Sequence, residues 1–278
     1  MNNVLFTVAL CLYGGATLGY FAFLVSPSKK VGTAAHWAII AGFVTHCATV
    51  VTRYLAAGYT PITNLHEALS FFSLAIVALF IYFEHRYKLH ILGSFVIPVA
   101  LVLMIAALGF PTQIVDLNPA LKSRWLAVHT IFAFSGYAAF TVSFGSAVMY
   151  LIQQRFLKQK KFGPLYRKLP SLDVLDDISY RCLTYGFPLL TVAIITGAIW
   201  AETAWGTYWS WDPKETWSLI TWFVYAALLH GRLTTGWRGK NASIFSIIGF
   251  CILLFTFLGV NLLLPSMHSY NTPGMVDK

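Results

Sequence analysis

The densest group of chemically capable side chains in this sequence is a cluster of tryptophans in its C-terminal half. Six of the nine tryptophans lie between positions 200 and 222, namely Trp200, Trp205, Trp209, Trp211, Trp217 and Trp222. An aromatic belt at a membrane surface scatters its rings over many helices, whereas these rings share one segment with Gly206 and Tyr208. We interpret the cluster as a broad, rigid platform for a flat apolar ligand.

The residues after Trp211 predict the start of a helix. Asp212 suits the N-cap position, Pro213 the first helical position and Glu215 the third, a pattern that resembles a capping box. Capping alone explains the two acidic residues. A helix N-terminus also attracts anions through its N–H groups and partial positive charge, and Lys214 adds a full charge, so a carboxylate-bearing ligand is favoured here.

Two histidines, His129 and His268, are predicted at the same end of the helices as the tryptophan cluster. In bis-histidine sites, two neutral imidazoles hold haem iron from opposite faces of the porphyrin. A flat aromatic platform with positive groups beside it suits the macrocycle and its propionates. The pattern therefore favours haem ligation by His129 and His268 over two unrelated interfacial histidines.

The other histidines differ in their predicted depth. His230 closes the apolar run 218–229, and His46 lies near the middle of another apolar stretch. An ionisable side chain in lipid is costly and indicates function by default, while a hydrogen-bonded core histidine is the alternative for both. For the remaining four we expect solvated, interfacial or loop positions: His36, His66, His85 and His90.

The elements that position these side chains are predicted to be membrane-spanning helices. The chain is 58% hydrophobic and 10% charged, too apolar for a soluble globule. A spanning helix needs about 20 mostly apolar residues. Eight stretches qualify, at 3–25, 35–57, 68–84, 91–109, 125–152, 182–203, 217–232 and 242–264. The predicted fold class is all-α, a polytopic integral membrane protein with about eight transmembrane helices and both termini on one side.

The distribution of basic residues predicts the orientation in the membrane. Most of the 19 lysines and arginines lie in the connections after the first, third, fifth and seventh stretches. Because cytoplasmic loops carry the excess of these residues, both termini and the tryptophan cluster are predicted on the outer side. The net charge of +9 then reflects topology and requires no nucleic-acid partner. The first stretch has no basic start or cleavage signature and is interpreted as an anchor.

We expect a single membrane domain over residues 1–278. Residues 153–181 are predicted as a basic cytoplasmic loop with a short helix, and residues 204–217 as an outer tryptophan-rich loop. The four cysteines occur singly, without a Cys-x-x-Cys pair for metal binding or thiol exchange. If the outer site handles a substrate thiol, a separate thiol-reducing protein is expected to keep that thiol reduced.

Three segments resemble the CcsA (ResC) family, the membrane subunit of the system II cytochrome c synthase and one branch of the haem-handling proteins that share the tryptophan-rich WWD motif. The segments are 205–217 (WGTYWSWDPKETW), 61–67 (PITNLHE) and 259–264 (GVNLLL), which leads to His268. The smaller CcmC proteins also carry a WWD motif, but the number of predicted spans and the sequence after Trp211 favour CcsA. The chain departs from the family pattern at His66, where a tyrosine is expected.

The resemblance implies that haem b is bound beside the WWD segment. His129 and His268 match the two external haem ligands of the family, and His230 matches its membrane haem ligand. The second membrane ligand is expected from a CcsB (ResB) partner subunit, with His46 ranked after it. The motif residues expected to bind the cofactor are Trp205, Trp209, Trp211, Asp212 and Trp217.

The activity implied by the resemblance is covalent attachment of haem to the cysteines of a Cys-x-x-Cys-His motif in apocytochrome c, achieved mostly by orientation of the reactants. A haem transporter or chaperone without synthase activity is the first alternative. A membrane electron-transfer cytochrome b is the second, although it needs histidine pairs at matched depths. The expected location is a bacterial cytoplasmic membrane, or the thylakoid membrane if the chain is plastid-encoded.

Overall fold

The structure is a computed structural model that describes residues 2–26, 28–114 and 119–267. Helices make up most of this part of the chain. They are α1 (Asn2–Val25), α2 (Lys29–Ala57), α3 (Leu65–Tyr87), α4 (Gly93–Ala107), α5 (Arg124–Lys158), α6 (Pro164–Lys168), α7 (Leu172–Trp205), α8 (Pro213–Thr234), α9 (Lys240–Leu254) and α10 (Val260–Leu263). Short 3₁₀ turns at His90–Leu92 and Pro119–Lys122 precede α4 and α5, and a π-helical turn at Phe255–Gly259 joins α9 to α10.

Within the described residues, seven helical segments are long and apolar enough to cross a membrane. They are α1, α2, α3, the first 3₁₀ turn with α4, α5, α7, and the continuous helix from α9 to α10. The all-helical membrane fold predicted from the sequence is therefore confirmed. The predicted eighth span, residues 217–232, lies within α8 but is not among the seven.

Polarity, not length, separates α8 from the seven apolar segments. Its 22 residues correspond to about 33 Å, enough for a hydrocarbon core of roughly 30 Å. Polar side chains are spaced along it, including Ser218, Thr221 and His230. Of about eight predicted spans, seven are apolar enough to cross a membrane, and the eighth, residues 217–232, forms a more polar helix. The placement of both termini on one side stays a prediction.

The segment predicted as a long loop, 153–181, is mostly helical. α5 continues to Lys158 and α7 begins at Leu172, where Ser171 accepts the N–H of Val174 at 3.4 Å as the N-cap. Residues 159–163 and 169–171, on either side of α6, are the parts outside helices. The polar residues here extend the two helices beyond their apolar stretches instead of ending them.

Close contact between α5, α7 and α8 sets the position of the candidate site. A Cβ added at Gly136 of α5 would lie 3.1 Å from the carbonyl oxygen of Gly186 on α7. Small residues allow two backbones to approach this closely in membrane proteins. Phe140 of α5 also stacks on Tyr225 of α8, with ring centroids 3.6 Å apart. These contacts hold the three helices side by side, so that their ends can form one site.

Candidate functional site

The tryptophan-rich loop between α7 and α8 is shorter than predicted. α7 ends at Trp205, after which Gly206 adopts a left-handed backbone (φ 79°) and donates its N–H to the Glu202 carbonyl at 2.8 Å. α8 begins at Pro213, so the loop, called the WWD loop below, comprises residues 206–212. Trp205 and Trp217 therefore belong to helices, while Trp209 and Trp211 lie in the loop.

Trp211 is the most exposed of the loop's aromatic residues. Its backbone is left-handed, with φ 59°, which is uncommon for a bulky side chain. The residue is 69% exposed and meets Trp209 edge-on, with ring centroids 5.7 Å apart. Backbone strain of this kind clusters at functional sites. The WWD loop thus presents two perpendicular indole rings at this end of the bundle.

The capping box predicted at the start of α8 is confirmed. Asp212 accepts the N–H of Lys214 at 3.0 Å, and Glu215 accepts the N–H of Asp212 at 3.2 Å. Glu215 also accepts the N–H of Ser210 at 2.8 Å. The chain's own carboxylates therefore bind the N–H groups at this helix terminus. A ligand carboxylate would be attracted by the ammonium group of Lys214 and not by the terminus itself.

The start of α8 is also fastened to the C-terminal part of the chain. Asp212, which is 7% exposed, accepts the hydroxyl of Ser266 at 2.6 Å and the N–H of Met267 at 2.8 Å. Lys214 Nζ donates to Asn261 Oδ1 at 3.2 Å. His268, the second predicted outer ligand, follows Met267 directly and lies outside the described residues.

His129 lies near the start of α5 and is half-buried. Its Nδ1 is 2.7 Å from the carbonyl oxygen of Ala193 on α7. Because a carbonyl oxygen only accepts, Nδ1 carries the proton, and the neutral ring has its lone pair on Nε2. Metal-binding histidines are commonly oriented in this way by a backbone carbonyl. The arrangement therefore fits a haem-iron ligand.

A glycine on α7 makes room for the His129 ring. A Cβ added at Gly197 would lie 2.7 Å from Nδ1 of His129 and 2.8 Å from its Cε1. These separations are far shorter than an ordinary van der Waals contact, so a side chain at position 197 would displace the imidazole. The sequence does not single out Gly197, since glycine is frequent in membrane helices.

His129 lines a cleft beneath the WWD loop. The walls come from α5, α7, α8 and the loop, and they enclose about 590 Å³ of empty space, part of it open to solvent. Tyr208, Trp209 and Lys214 also line this cleft. Burial lowers the pKa of Lys214 to about 8, against the opposing effect of the Asp212 charge. An imidazole, an indole and a cation meet in one cleft, which suits a flat macrocycle with an acidic edge.

Trp205 and Trp217 lie beside the cleft and are not among the described residues that line it. Trp205 packs edge-on against Trp200, with centroids 5.0 Å apart, in a small apolar cluster with Ile62. Trp217 packs on Phe255, with centroids 4.5 Å apart. Of the four motif tryptophans expected to contact the ligand, Trp209 lines the cleft and Trp211 lies next to it, while Trp205 and Trp217 pack at the flanks of the loop. Ligand contact by these residues stays a prediction.

His230 is placed far from the cleft. It lies 17 residues after Pro213 in α8, which is about 26 Å along the helix axis. Its side chain is exposed, as are those of Phe223 and Ala227 on the same surface of the helix. The structure thus keeps His129 and His230 apart, towards opposite ends of α8.

His46 is a hydrogen-bonded core histidine. It is fully buried, with Nδ1 3.1 Å from the hydroxyl of Tyr13 and Nε2 2.8 Å from that of Ser70. Haem ligation by His46 would break one of these bonds. His66, expected in a loop, lies instead in the first turn of α3 and is buried, with Nδ1 donating to the Ala107 carbonyl at 2.8 Å. The helix starts earlier than predicted because Asn64 caps it.

Two of the histidines expected to be solvated converge on one buried acidic residue that the sequence does not single out. Nδ1 of His36 lies 2.7 Å from the Glu84 carboxylate, and Nδ1 of His90 lies 2.8 Å from it. The hydroxyl of Tyr20 also donates to Glu84, at 2.8 Å. His85 is exposed, as expected. The feature of the sequence that could have indicated this cluster is Glu84 itself, an acidic residue at the end of an apolar stretch.

The fold and the cleft define a polytopic helical membrane protein with a histidine beneath a tryptophan-rich loop. Residues 62–268 match the family model described as Cytochrome C assembly protein. The chain is 36% identical over 289 residues to the cytochrome c biogenesis protein CcsA of Guillardia theta, covering 97% of this chain and 95% of that protein. It is 34% identical to CcsA of Synechocystis sp., covering 97% and 96% respectively. The chain belongs to the CcsA family of cytochrome c assembly proteins.

A solved structure of the cytochrome c heme lyase CcmF has a similar fold. The TM-score is 0.68 at 16% sequence identity, and the match covers 96% of this chain and 47% of CcmF. The chain thus spans about half the length of that protein. At this identity the likeness concerns the fold alone. The sequence relatives place the chain in cytochrome c biogenesis.

Proposed function

We propose that this protein binds haem b in the cleft beneath the WWD loop and, with a CcsB-type subunit, attaches it to apocytochrome c. The observation that carries the proposal is the placement of His129 in the wall of that cleft, with its Nδ1 proton bound to the Ala193 carbonyl. The neutral ring then has its basic nitrogen at Nε2, as an iron ligand requires.

His268 is the proposed second axial ligand at this outer site. It follows Met267, whose N–H is bound by Asp212 at the end of the WWD loop. Two imidazoles on opposite faces would fix the macrocycle, and Trp209 would contact it from the cleft wall. Lys214 suits a haem propionate, since an ammonium–carboxylate contact is a strong charge-assisted hydrogen bond.

Attachment requires positioning more than acid–base catalysis, and we assign no catalytic residue in this chain. When each thioether forms, the cysteine sulfur bonds to one vinyl carbon and the thiol hydrogen is transferred to the other, so the addition involves no net oxidation or reduction. The protein's task is to hold the ring so that the vinyl groups face the docked apocytochrome. The thiols must arrive reduced by another protein, since the four cysteines here lie within α1, α2, α7 and α9.

The exposed surface of α8 supports a membrane site shared with a partner. His230, Ala227 and Phe223 all point away from this chain's core. An imidazole on a lipid-facing surface is costly unless a neighbouring protein covers it. We therefore propose that His230 binds haem together with a ligand from the CcsB-type subunit, before haem reaches the outer site.

The same exposed histidine favours a second candidate function, which is haem transport without attachment. In that case His230 would receive haem and the outer ligands would release it to another protein. The two functions use the same residues and differ in their product, because only the synthase leaves a thioether-linked cytochrome.

The test is maturation of a reporter cytochrome c in a host without its own maturation system, supplied with this protein and a CcsB-type subunit. His129→Ala and His268→Ala should each lower covalent haem in the reporter by about tenfold or more, since losing only a residue that orients a metal ligand already costs about 10–100-fold. Added imidazole should restore part of the signal by occupying the vacant position. The control is His85→Ala, which changes an exposed histidine outside the cleft and should leave maturation unchanged.

Normal maturation in both variants would contradict the ligand assignment. Haem bound by the wild-type protein, with no covalent product under any condition, would favour transport over synthesis.

A further inference from the structure

The carboxylate of Asp212 joins two parts of the chain that are distant in sequence. Oδ1 accepts the N–H of Met267, while Oδ2 accepts both the N–H of Lys214 and the hydroxyl of Ser266. Capping of α8 accounts for the bond to Lys214 but not for the two bonds to residues 266 and 267. Hydrogen bonds to an ionised carboxylate are roughly twice as strong as neutral ones. Asp212 therefore fixes the C-terminal segment against the WWD loop.

These contacts also argue against direct haem binding by Asp212, which the motif resemblance suggested. Both of its oxygens face donors of this chain, and it is not among the described residues that line the cleft. Its negative charge would also repel a haem propionate. An indirect role in haem binding, in which Asp212 acts through another residue, accounts better for its position.

We infer that Asp212 is a positioning residue, which holds residues 266–267 against the WWD loop and thereby sets where His268 enters the outer site. The inference rests on the proposed function, in which His268 is an axial ligand. Adjacent Cα atoms are about 3.8 Å apart, so a fixed Met267 amide restricts the position from which the next side chain starts.

Asn261 adds a second point of attachment between the same two parts. It is buried, accepts a hydrogen bond from Lys214 Nζ and donates through Nδ2 to the carbonyl of Phe257 in the π-helical turn. The start of α8, the π-helical turn and residues 261–267 are consequently linked into one unit. This unit couples the loop that contacts the ring to the segment that leads to the ligand.

Asp212→Asn separates positioning from helix capping. Asparagine is about as good an N-cap residue as aspartate, but its amide nitrogen replaces one acceptor oxygen with a donor. It cannot accept from Lys214, Ser266 and Met267 together. In the purified complex with the CcsB-type subunit, the variant should keep haem but shift from a low-spin, six-coordinate absorption spectrum towards the high-spin spectrum of His268→Ala. Added imidazole should reverse the shift, and Ser266→Ala should give a smaller one.

A double-variant comparison tests whether Asp212 acts through His268. If it does, adding Asp212→Asn to His268→Ala should leave the high-spin absorption spectrum of His268→Ala unchanged, because the interaction is already lost. A further spectral change in the double variant would contradict action through His268. The control for a weakened helix start is Ser171→Ala, which removes the N-cap side chain of α7 and should leave the spectrum low-spin.

Amide hydrogen exchange tests the contact without haem. In the haem-free protein, Asp212→Asn should make the Met267 amide exchange about tenfold faster or more, as expected for one lost bond to a charged acceptor. Unchanged exchange of the Met267 amide in Asp212→Asn would overturn the positioning role alone. The same conclusion would follow if the haem spectra of the wild type and of Asp212→Asn were both low-spin. Absence of haem from the wild-type complex would overturn the proposed function, and the inference with it.

Discussion

Histidines in two regions of this molecule have opposite surroundings. In the region of α1, α2 and α3, His46 is fully buried and both of its ring nitrogens are bonded to side chains, those of Tyr13 and Ser70. At the cleft of α5, α7 and α8, His129 is half-buried and a main-chain carbonyl binds its Nδ1. For these two histidines, burial and hydrogen-bond partners distinguish a core residue, bonded through both ring nitrogens, from a residue that lines the cleft.

The charged residues of the two regions also differ in their burial and in their partners. Arg53 and Glu67 form a buried ion pair, and Arg53 also donates to the Thr112 carbonyl. Both side chains therefore join α2, α3 and the segment after α4. At the cleft, Lys214 is partly buried, donates to Asn261 and lines a space that is partly open to solvent. We expect changes in the first region to affect stability and changes in the second to affect haem binding.

The largest expected effect comes from breaking the buried ion pair. Arg53→Ala should lower the free energy of unfolding by about 3–5 kcal/mol, because it leaves the Glu67 charge buried without its partner. Thermal unfolding of the purified protein measures the change. Replacing both residues together, as Arg53→Met with Glu67→Leu, should restore much of the loss. A double variant as unstable as Arg53→Ala would contradict the charge-pair explanation.

His46→Ala should destabilise the fold by about 1–3 kcal/mol, since the hydroxyls of Tyr13 and Ser70 each lose a buried partner. The haem spectrum of the folded fraction should stay that of the wild type. A shift towards high-spin haem in this variant would show that the two regions are not separate.

Gly197→Ala changes the cleft region instead. The added methyl group would lie 2.7 Å from His129 Nδ1, so the ring must move away from the Ala193 carbonyl. Haem affinity should fall about tenfold, as for loss of an orienting partner, with little change in thermal stability. Gly15→Ala in α1 is the matched control, because a Cβ there meets nothing within 4 Å. Equal haem affinity in the two variants would argue against this role for Gly197.

The smallest expected effect is at Trp211. Trp211→Gly removes a bulky residue from a left-handed backbone and should stabilise the haem-free protein by up to about 1 kcal/mol. Haem retention should fall at the same time, because an exposed ring beside the cleft is lost. Thermal unfolding without haem and a haem titration together check both halves of this prediction. A variant that is less stable without haem would show that the backbone of Trp211 is not strained.

Local features of this protein could be read from its sequence, and contacts between distant elements could not. Seven of the eight predicted spans coincide with apolar helical segments, and the spacing of Asp212, Pro213 and Glu215 predicted the capping box. Both features arise between residues a few positions apart. The Asp212–Met267 bond joins residues 55 positions apart, and no periodicity or motif spacing encodes such a pairing.

Depth in an apolar stretch was also an incomplete guide to the histidines. It located His129 near the WWD loop and His230 away from it, and it ranked His230 above His46 as a haem ligand, but it left a core position open for both. The structure separates them, because His46 faces polar partners in the core while His230 lies on the surface of α8. Which face of a helix is covered depends on its neighbours, and a single chain's sequence does not specify them.

The most direct test of the proposed haem site is the absorption spectrum of the purified complex with the CcsB-type subunit, compared between His129→Ala and His46→Ala. We expect His129→Ala to lose the low-spin bis-histidine haem signal of the outer site and to recover it with imidazole, whereas His46→Ala should retain it. Loss of that signal in His46→Ala, with retention in His129→Ala, would contradict the assignment of the cleft as the haem site.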